Sequence, residues 1–262
     1  MAERMLLIRR PLRQAEAQLR QDALDPEYRP RCLTLLAELY NHMAEGFRSR
    51  AEEAAKEAID LRPREKDNLD ALTWAMGGAL ADWNFANHSR LIAYWQDYVE
   101  KYPDHSPAYL YLLDNLLADG RLTEAEAALT KLAALRQDFQ IPCYRGLIEK
   151  ARGRRAAAWE IWNAMVANDP ENWLVYLCRA DCHAREADYP AAIADYRQAA
   201  ALQPKPRYTD PWDSIAQLAR LSHDREREAE AYERIIDILQ TDWGLGECET
   251  VQGYRENLKA CR

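Results

Sequence analysis

Valine is scarce in this chain, occurring four times in 262 residues, and glycine (nine) and phenylalanine (three) are scarce with it. So few β-branched residues and so few glycines argue against sheets; alanine and leucine dominate instead and favour helices. No apolar run approaches the roughly 18 residues that a bilayer span needs. The first apolar stretch, Met5 to Ile8, is four residues long, too short for the core of a secretion signal, so a cytoplasmic protein is expected. An excess of positive charge is also missing: 35 Lys and Arg face 43 Asp and Glu, for a net charge of -8, which opposes a large nucleic-acid footprint.

Catalytic signatures are absent as well. There is no G-x-x-x-x-G-K-[ST] loop, no H-E-x-x-H pair and no G-x-S-x-G elbow. Gly244-Leu245-Gly246 has neither a third glycine nor a preceding strand. A non-catalytic chain without cofactor or metal is expected. The six cysteines (Cys32, Cys143, Cys178, Cys182, Cys248, Cys261) form no compact framework and read as reduced thiols. Cys178, Cys182 and His183 fall in one helical run, with Cys143 one unit earlier. A structural zinc site needs a second ligand pair that this arrangement lacks, so these read as core cysteines.

What is present is a repeat. Pro103, Pro170 and Pro204 each follow a helical stretch rich in Ala, Leu and aromatics, and Pro63 closes another, AEEAAKEAIDLRP. Pro170 and Pro204 lie 34 residues apart, and Pro103 and Pro170 nearly twice that. Each stretch divides into two helical runs. In 173–204 the turn reads as Ala187-Asp188-Tyr189, with Pro190 in the first turn of the second helix. In 106–137 it reads as Gly120-Arg121-Leu122, with Thr123 as N-cap.

These features resemble the tetratricopeptide-repeat family, whose unit is a 34-residue helix–turn–helix with small residues at positions 8, 20 and 27, an aromatic near 24 and proline at 32. Residues 173–206 place Ala180, Ala192, Ala199, Tyr196 and Pro204 there. Residues 139–172 place Gly146, Ala158, Met165, Trp162 and Pro170; residues 72–105, Ala79, Leu91, Tyr98, Trp95 and Pro103; residues 106–138, Leu113, Ala125, Leu132, Leu129 and Gln137. Units at 32–65 (Leu39, Ala51, Ala58, Pro63) and 209–242 (Ala216, Tyr232, Ile235) complete the set. Position 11 departs from the family's tyrosine throughout (His42, Asp82, Leu116, Glu149, His183, Ala219). Position 7 holds Glu38, Gly78, Arg145 and Arg179, and residues 64–71 read as an insertion.

The resemblance implies an all-α, right-handed α-solenoid of about six helix pairs over 32–242, continuous rather than split. An N-terminal capping helix within 1–31 and a C-terminal capping tail over 243–262 would close its ends. It also implies a concave groove lined by the first helices. Positions 2, 5, 9, 12 and 13 carry Tyr40, Met43, Met76, Leu80, Trp83, Asn84, Leu110, Asp114, Leu117, Leu147, Lys150, Leu177, Asp181 and Arg185 into it, with Tyr111 and Tyr144 at its edge. The Lys/Asn set that grips a chaperone's C-terminal carboxylate is missing. The expected function is a protein-interaction scaffold holding a peptide or helix of a partner, with no direct contact to nucleic acid or membrane. The alternative is the peptide-sensing arm of a bacterial helix-turn-helix regulator, since TDWGLGECETVQGYRENL is similar to the ends of such chains. The basic run Arg145, Lys150, Arg152, Arg154 and Arg155, opposed by Glu149, reads as a solvated turn rather than a phosphate site.

Overall fold

A computed structural model describes residues 15–42, 48–77 and 88–262. The described residues are helical or in turns, without a strand. The chain forms two compact units, Met1–Gln137 and Asp138–Arg262. In the first unit, residues 15–22 are helical and precede α1 (Arg29–His42), α2 (Arg48–Leu61), α3 (Lys66–Gly77), α4 (His88–Lys101), α5 (Ser106–Ala118) and α6 (Leu122–Leu135). The second holds α7 (Gln140–Ala151), α8 (Arg155–Asn168), α9 (Trp173–Arg185), α10 (Tyr189–Leu202), α11 (Asp210–Leu221), α12 (Arg225–Thr241) and α13 (Glu249–Cys261). In the first unit neighbouring helices pack in sequence, and α1 touches α3 as α3 touches α5.

The packing positions carry this arrangement. Ala51, Leu91, Ala125, Ala158 and Ala192 at position 20 are fully buried, and so are Ala58, Leu132, Ala199 and Ile235 at position 27. Trp95 and Trp162 at position 24 are 0% exposed, and Leu129, Tyr196 and Tyr232 are buried at the same place. A buried indole removes about 200 Å² from water, worth about 5 kcal/mol before the unfolded chain's own burial is subtracted. Neither helix of a pair hides such a ring alone, so pairs stack. Gly146 shows how close the approach is: a Cβ there would overlap the Trp162 indole, whose Nε1 donates to the Cys143 carbonyl at 3.2 Å.

The turns within the four pairs from Ser106 onward share one device, a residue with left-handed backbone: Gly120 (φ 72°), Gly153 (80°), Ala187 (59°) and His223 (57°). Gly120 adopts it one residue before Arg121, so α6 starts at Leu122 and Thr123 is not the N-cap; Arg121, the N-cap residue, instead pairs with Glu124 at 2.6 Å. Tyr189 likewise opens α10 rather than closing the turn, with Asp188 accepting from the Ala191 N–H at 3.4 Å. Asp224 caps α12 in the same way, from the Arg227 N–H at 3.0 Å.

The expected insertion at 64–71 is mostly helix. Nothing between Lys66 and Gly77 breaks a helix, and Leu69, Ala71, Leu72 and Ala75 are buried, so 66–71 are the first turns of α3. Asn68 explains the early start. Its buried amide donates to the carbonyls of Ala58 (3.1 Å) and Arg62 (3.2 Å) at the end of α2, and its Oδ1 accepts from Thr34 of α1. At the other end, α13 packs on α12. Its Val251 is fully buried, and Tyr254, Leu258 and Cys261 lie against the cluster of Ala180, Tyr196, Ile215, Ala216, Tyr232 and Ile235.

The cysteines differ from expectation. Cys143 and Cys178 are joined in a disulfide, with Cα atoms 6.7 Å apart, while Cys32, Cys182, Cys248 and Cys261 are free thiols. The reading of six reduced thiols missed this because the partners are 35 residues apart in sequence. One repeat length is the separation that stacking converts into proximity.

Two substitutions test the packing and the turns in urea denaturation. Gly146→Ala is expected to lower stability by about 1–3 kcal/mol, the usual cost of overpacking. His223→Gly is expected to raise it by about 1 kcal/mol, because glycine adopts the left-handed region without the Cβ penalty. A neutral Gly146→Ala would mean that α7 and α8 do not approach as closely as described.

Candidate functional site

The described residues among those expected to line a groove fall on the first helices of the pairs. Leu80, Trp83 and Asn84, with Met43 and the side chain of Tyr40, lie outside the described residues. In the first unit Met76 on α3 and Leu110 on α5 are half-buried, and Asp114 is exposed. Tyr111 is engaged in packing: its ring stacks on Trp95 (centroids 4.8 Å apart, planes at 16°), and its hydroxyl donates to Asp70. Burial, with the Asp70 carboxylate second, pushes that hydroxyl far above the usual tyrosine range. Tyr111 therefore ties α5 to α3 and α4.

The second unit gives a fuller face. Leu147 on α7 lies against the cluster of Ala158, Trp162 and Cys182, and Leu177 on α9 lies against the larger cluster that includes Tyr196, Ile215 and Tyr232. Both remain half-exposed, as does Tyr144. Asp181 and Arg185, one turn apart on α9, are exposed. Asp181 accepts a hydrogen bond from the Tyr196 hydroxyl at 2.5 Å. Although its edge is open to solvent, the surrounding protein desolvates the carboxyl and raises it above the usual carboxylate range. The Tyr196 hydrogen bond and Arg185 act in the opposite direction. Leu147 and Leu177 thus keep part of their surface in solvent, and two residues of opposite charge lie beside Leu177 on α9.

The basic run beside it is largely neutralised. Glu149 pairs with Arg154 (2.6 Å) and Arg152 (3.4 Å), while Glu186 pairs with Arg155 and with Lys150 (3.3 Å) and accepts from the Trp159 indole at 3.3 Å. Two departures from the family pattern are explained on the same side. Arg179 forms a two-pronged ion pair with Asp195 (2.7 and 2.8 Å) and reaches Asn163 at 3.1 Å, while His183 packs on Trp159 with centroids 4.2 Å apart. The disulfide excludes Cys143 and Cys178 as metal-binding thiols, and no group of three His, Cys, Asp or Glu among the described residues is placed to hold a metal. No described helix is long and apolar enough to cross a membrane.

Sequence reasoning also missed a cleft of about 350 Å³ in the first unit. Pro30, Arg31, Thr34 and Leu35 of α1 line it together with Arg62, Glu65, Asp67 and Asn68. Pro30 and Arg31 precede the unit at 32–65, and Asp67 and Asn68 fall in the segment read as an insertion.

Solved structures share this arrangement. A tetratricopeptide repeat protein from Parabacteroides merdae superposes with a TM-score of 0.52 at 15% identity, over 95% of this chain and 90% of its own. The fold is that of a tetratricopeptide-repeat protein. Yeast Tom70 overlaps less well, with a TM-score of 0.49 at 13% identity, over 95% of this chain and 57% of Tom70. No family profile and no curated protein matches the sequence. The likeness lies in how the tetratricopeptide helices stack, not in shared residues.

The Tyr196–Asp181 contact of this repeat protein can be titrated directly. In Tyr196→Phe the lost O–H donor is expected to raise the Asp181 pKa further, as followed by carboxyl-carbon NMR across acidic pH. A lowered or unchanged value would mean that the hydroxyl does not stabilise the ionised carboxylate.

Proposed function

We propose that this chain is a non-catalytic interaction scaffold, and that in the second unit the first-helix face of α7 and α9 receives a peptide or helix of a partner protein. One observation carries the reading. On the same helices, the packing positions Gly146 and Ala180 are buried, while Leu147, Leu177, Asp181 and Arg185 keep exposed surface. An apolar floor with a charged rim suits an amphipathic helix or an extended peptide, the floor supplying affinity and the rim register. Asp181 and Arg185 present opposite charges one helical turn apart, which favours a ligand with a basic and an acidic group at similar spacing. The Leu110 and Asp114 positions of α5 offer a comparable, smaller face in the first unit.

The test is selection of peptides from a displayed random library on the immobilised chain, followed by calorimetry with the best binder. Asp181→Asn, which keeps an acceptor for the Tyr196 hydroxyl, and Arg185→Glu are expected to leave helicity intact. Each is expected to weaken binding at least tenfold, about 1.4 kcal/mol. Full affinity in both variants would overturn the assignment of this face.

A further inference from the structure

We propose that the Cys143–Cys178 pair is a reversible oxidation site, and that its state sets how firmly α7 and α9 are held together. The bond joins the first helices of two consecutive pairs, across one repeat of sequence. Its two ends differ in access. Cys178 is 7% exposed within a cluster with Met165, Val166 and Val175, whereas Cys143 is half-exposed at the cluster's edge beside Phe139 and Tyr176. Cys143 is thus the less buried end of the bond, and the one a small thiol would reach first.

Three further features point to reversibility rather than a fixed staple. Four other cysteines stay unpaired, two of them buried, so the fold is not organised by a disulfide framework. The α7 backbone is independently tied to α8 by the Trp162 indole on the Cys143 carbonyl, so the pair stays packed without the bond. Finally, the neighbouring thiol does not interfere. Cys182 lies one turn beyond Cys178, but burial pushes its thiol up to about 12, leaving almost no thiolate to attack near neutral pH.

The exchange balances with a small thiol such as glutathione. Its thiolate attacks the Cys143 sulfur and the Sγ–Sγ bond breaks. Cys178 leaves as thiolate and takes up a proton. A second glutathione thiolate then attacks the glutathione sulfur of the mixed disulfide, releasing glutathione disulfide and a Cys143 thiolate that is protonated in turn. Two glutathiones are oxidised and the pair gains two electrons and two protons; glutathione disulfide reverses both steps. Two thiols repel at bonding distance, so reduction frees α7 and α9 to separate. Leu147 is one turn from Cys143, and Leu177 and Asp181 flank Cys178. The effect on binding rests on the docking face proposed above.

The test equilibrates the full chain in glutathione buffers from wholly oxidised to wholly reduced. Alkylation and mass spectrometry count the thiols at 143 and 178, and amide hydrogen exchange is followed in 140–151 and 173–185. The expected result is a reversible two-electron titration confined to this pair, with exchange in both helices rising at least about tenfold on reduction and recovering on reoxidation. Cys182→Ser is expected to titrate as wild type, and Cys143→Ser to exchange fast in every buffer. A pair that stays oxidised in reduced glutathione, a pair that never oxidises, or exchange that ignores its state would each overturn the proposal. If Cys143→Ser does not fold, the wild-type titration still decides. No ligand enters this readout, so a failure of peptide selection and a failure of the redox titration are told apart.

Discussion

The contact between a small residue on the first helix of a pair and a large ring on the second is what the other features depend on. Gly146 meets Trp162, while Ala180 and Ala216 share a cluster with Tyr196 and Tyr232. The contact fixes how near the helices lie and therefore which side chains are left facing outward. Where the chain departs, it does so in a compensated way. In 106–138 the small residue becomes Leu113 and the aromatic becomes Leu129, both buried, so the volume is moved from one helix to the other. Packing at crystal-like density tolerates that exchange far better than it tolerates an unfilled gap.

Once that spacing is set, residues one repeat apart become neighbours. Cys143 and Cys178 are one case. Trp173, Tyr208 and Trp243 are another: successive rings at the starts of α9, the segment before α11 and the segment after α12 lie 6.3 and 5.6 Å apart. The Trp243 indole donates to the Arg207 carbonyl at 2.6 Å, and Arg207 is held in turn by a two-pronged pair with Asp242 at 2.8 Å. Polar groups at the departures from the repeat pattern follow the same logic. Arg179 and His183 occupy places where the family has other residues, and each finds partners on adjacent helices rather than solvent alone.

Helix pairs and the buried ladder at positions 20, 24 and 27 were legible because they rest on local spacing. Alanine every few residues and a ring at a fixed offset state a helix face without reference to the rest of the chain. Helix starts were less legible. Thr123 has the chemistry of an N-cap, yet the left-handed residue at Gly120 decides where α6 begins, and Ala187 and His223 take that conformation without glycine to announce it. Lys66 to Ala71 looked like an insertion because the repeat register skips them, while Asn68 draws them into α3 through carbonyls at the end of α2.

The sequence by itself determined the helical class, the repeat and the positions that must be buried, because apolar periodicity and residue volume act over a few turns of chain. Tertiary structure alone decided the disulfide, the engagement of Tyr111 by Trp95 and Asp70, the pairing of Lys150 and Arg155 with Glu186, and the partly exposed leucines and exposed charged positions of α7 and α9. The contacts among these join residues from about 16 to 41 apart, and their geometry exists only after neighbouring helices have stacked. Spacing along the chain specifies what must be hidden. Which of the remaining groups meet is settled by how closely a glycine lets one helix approach a tryptophan on the next.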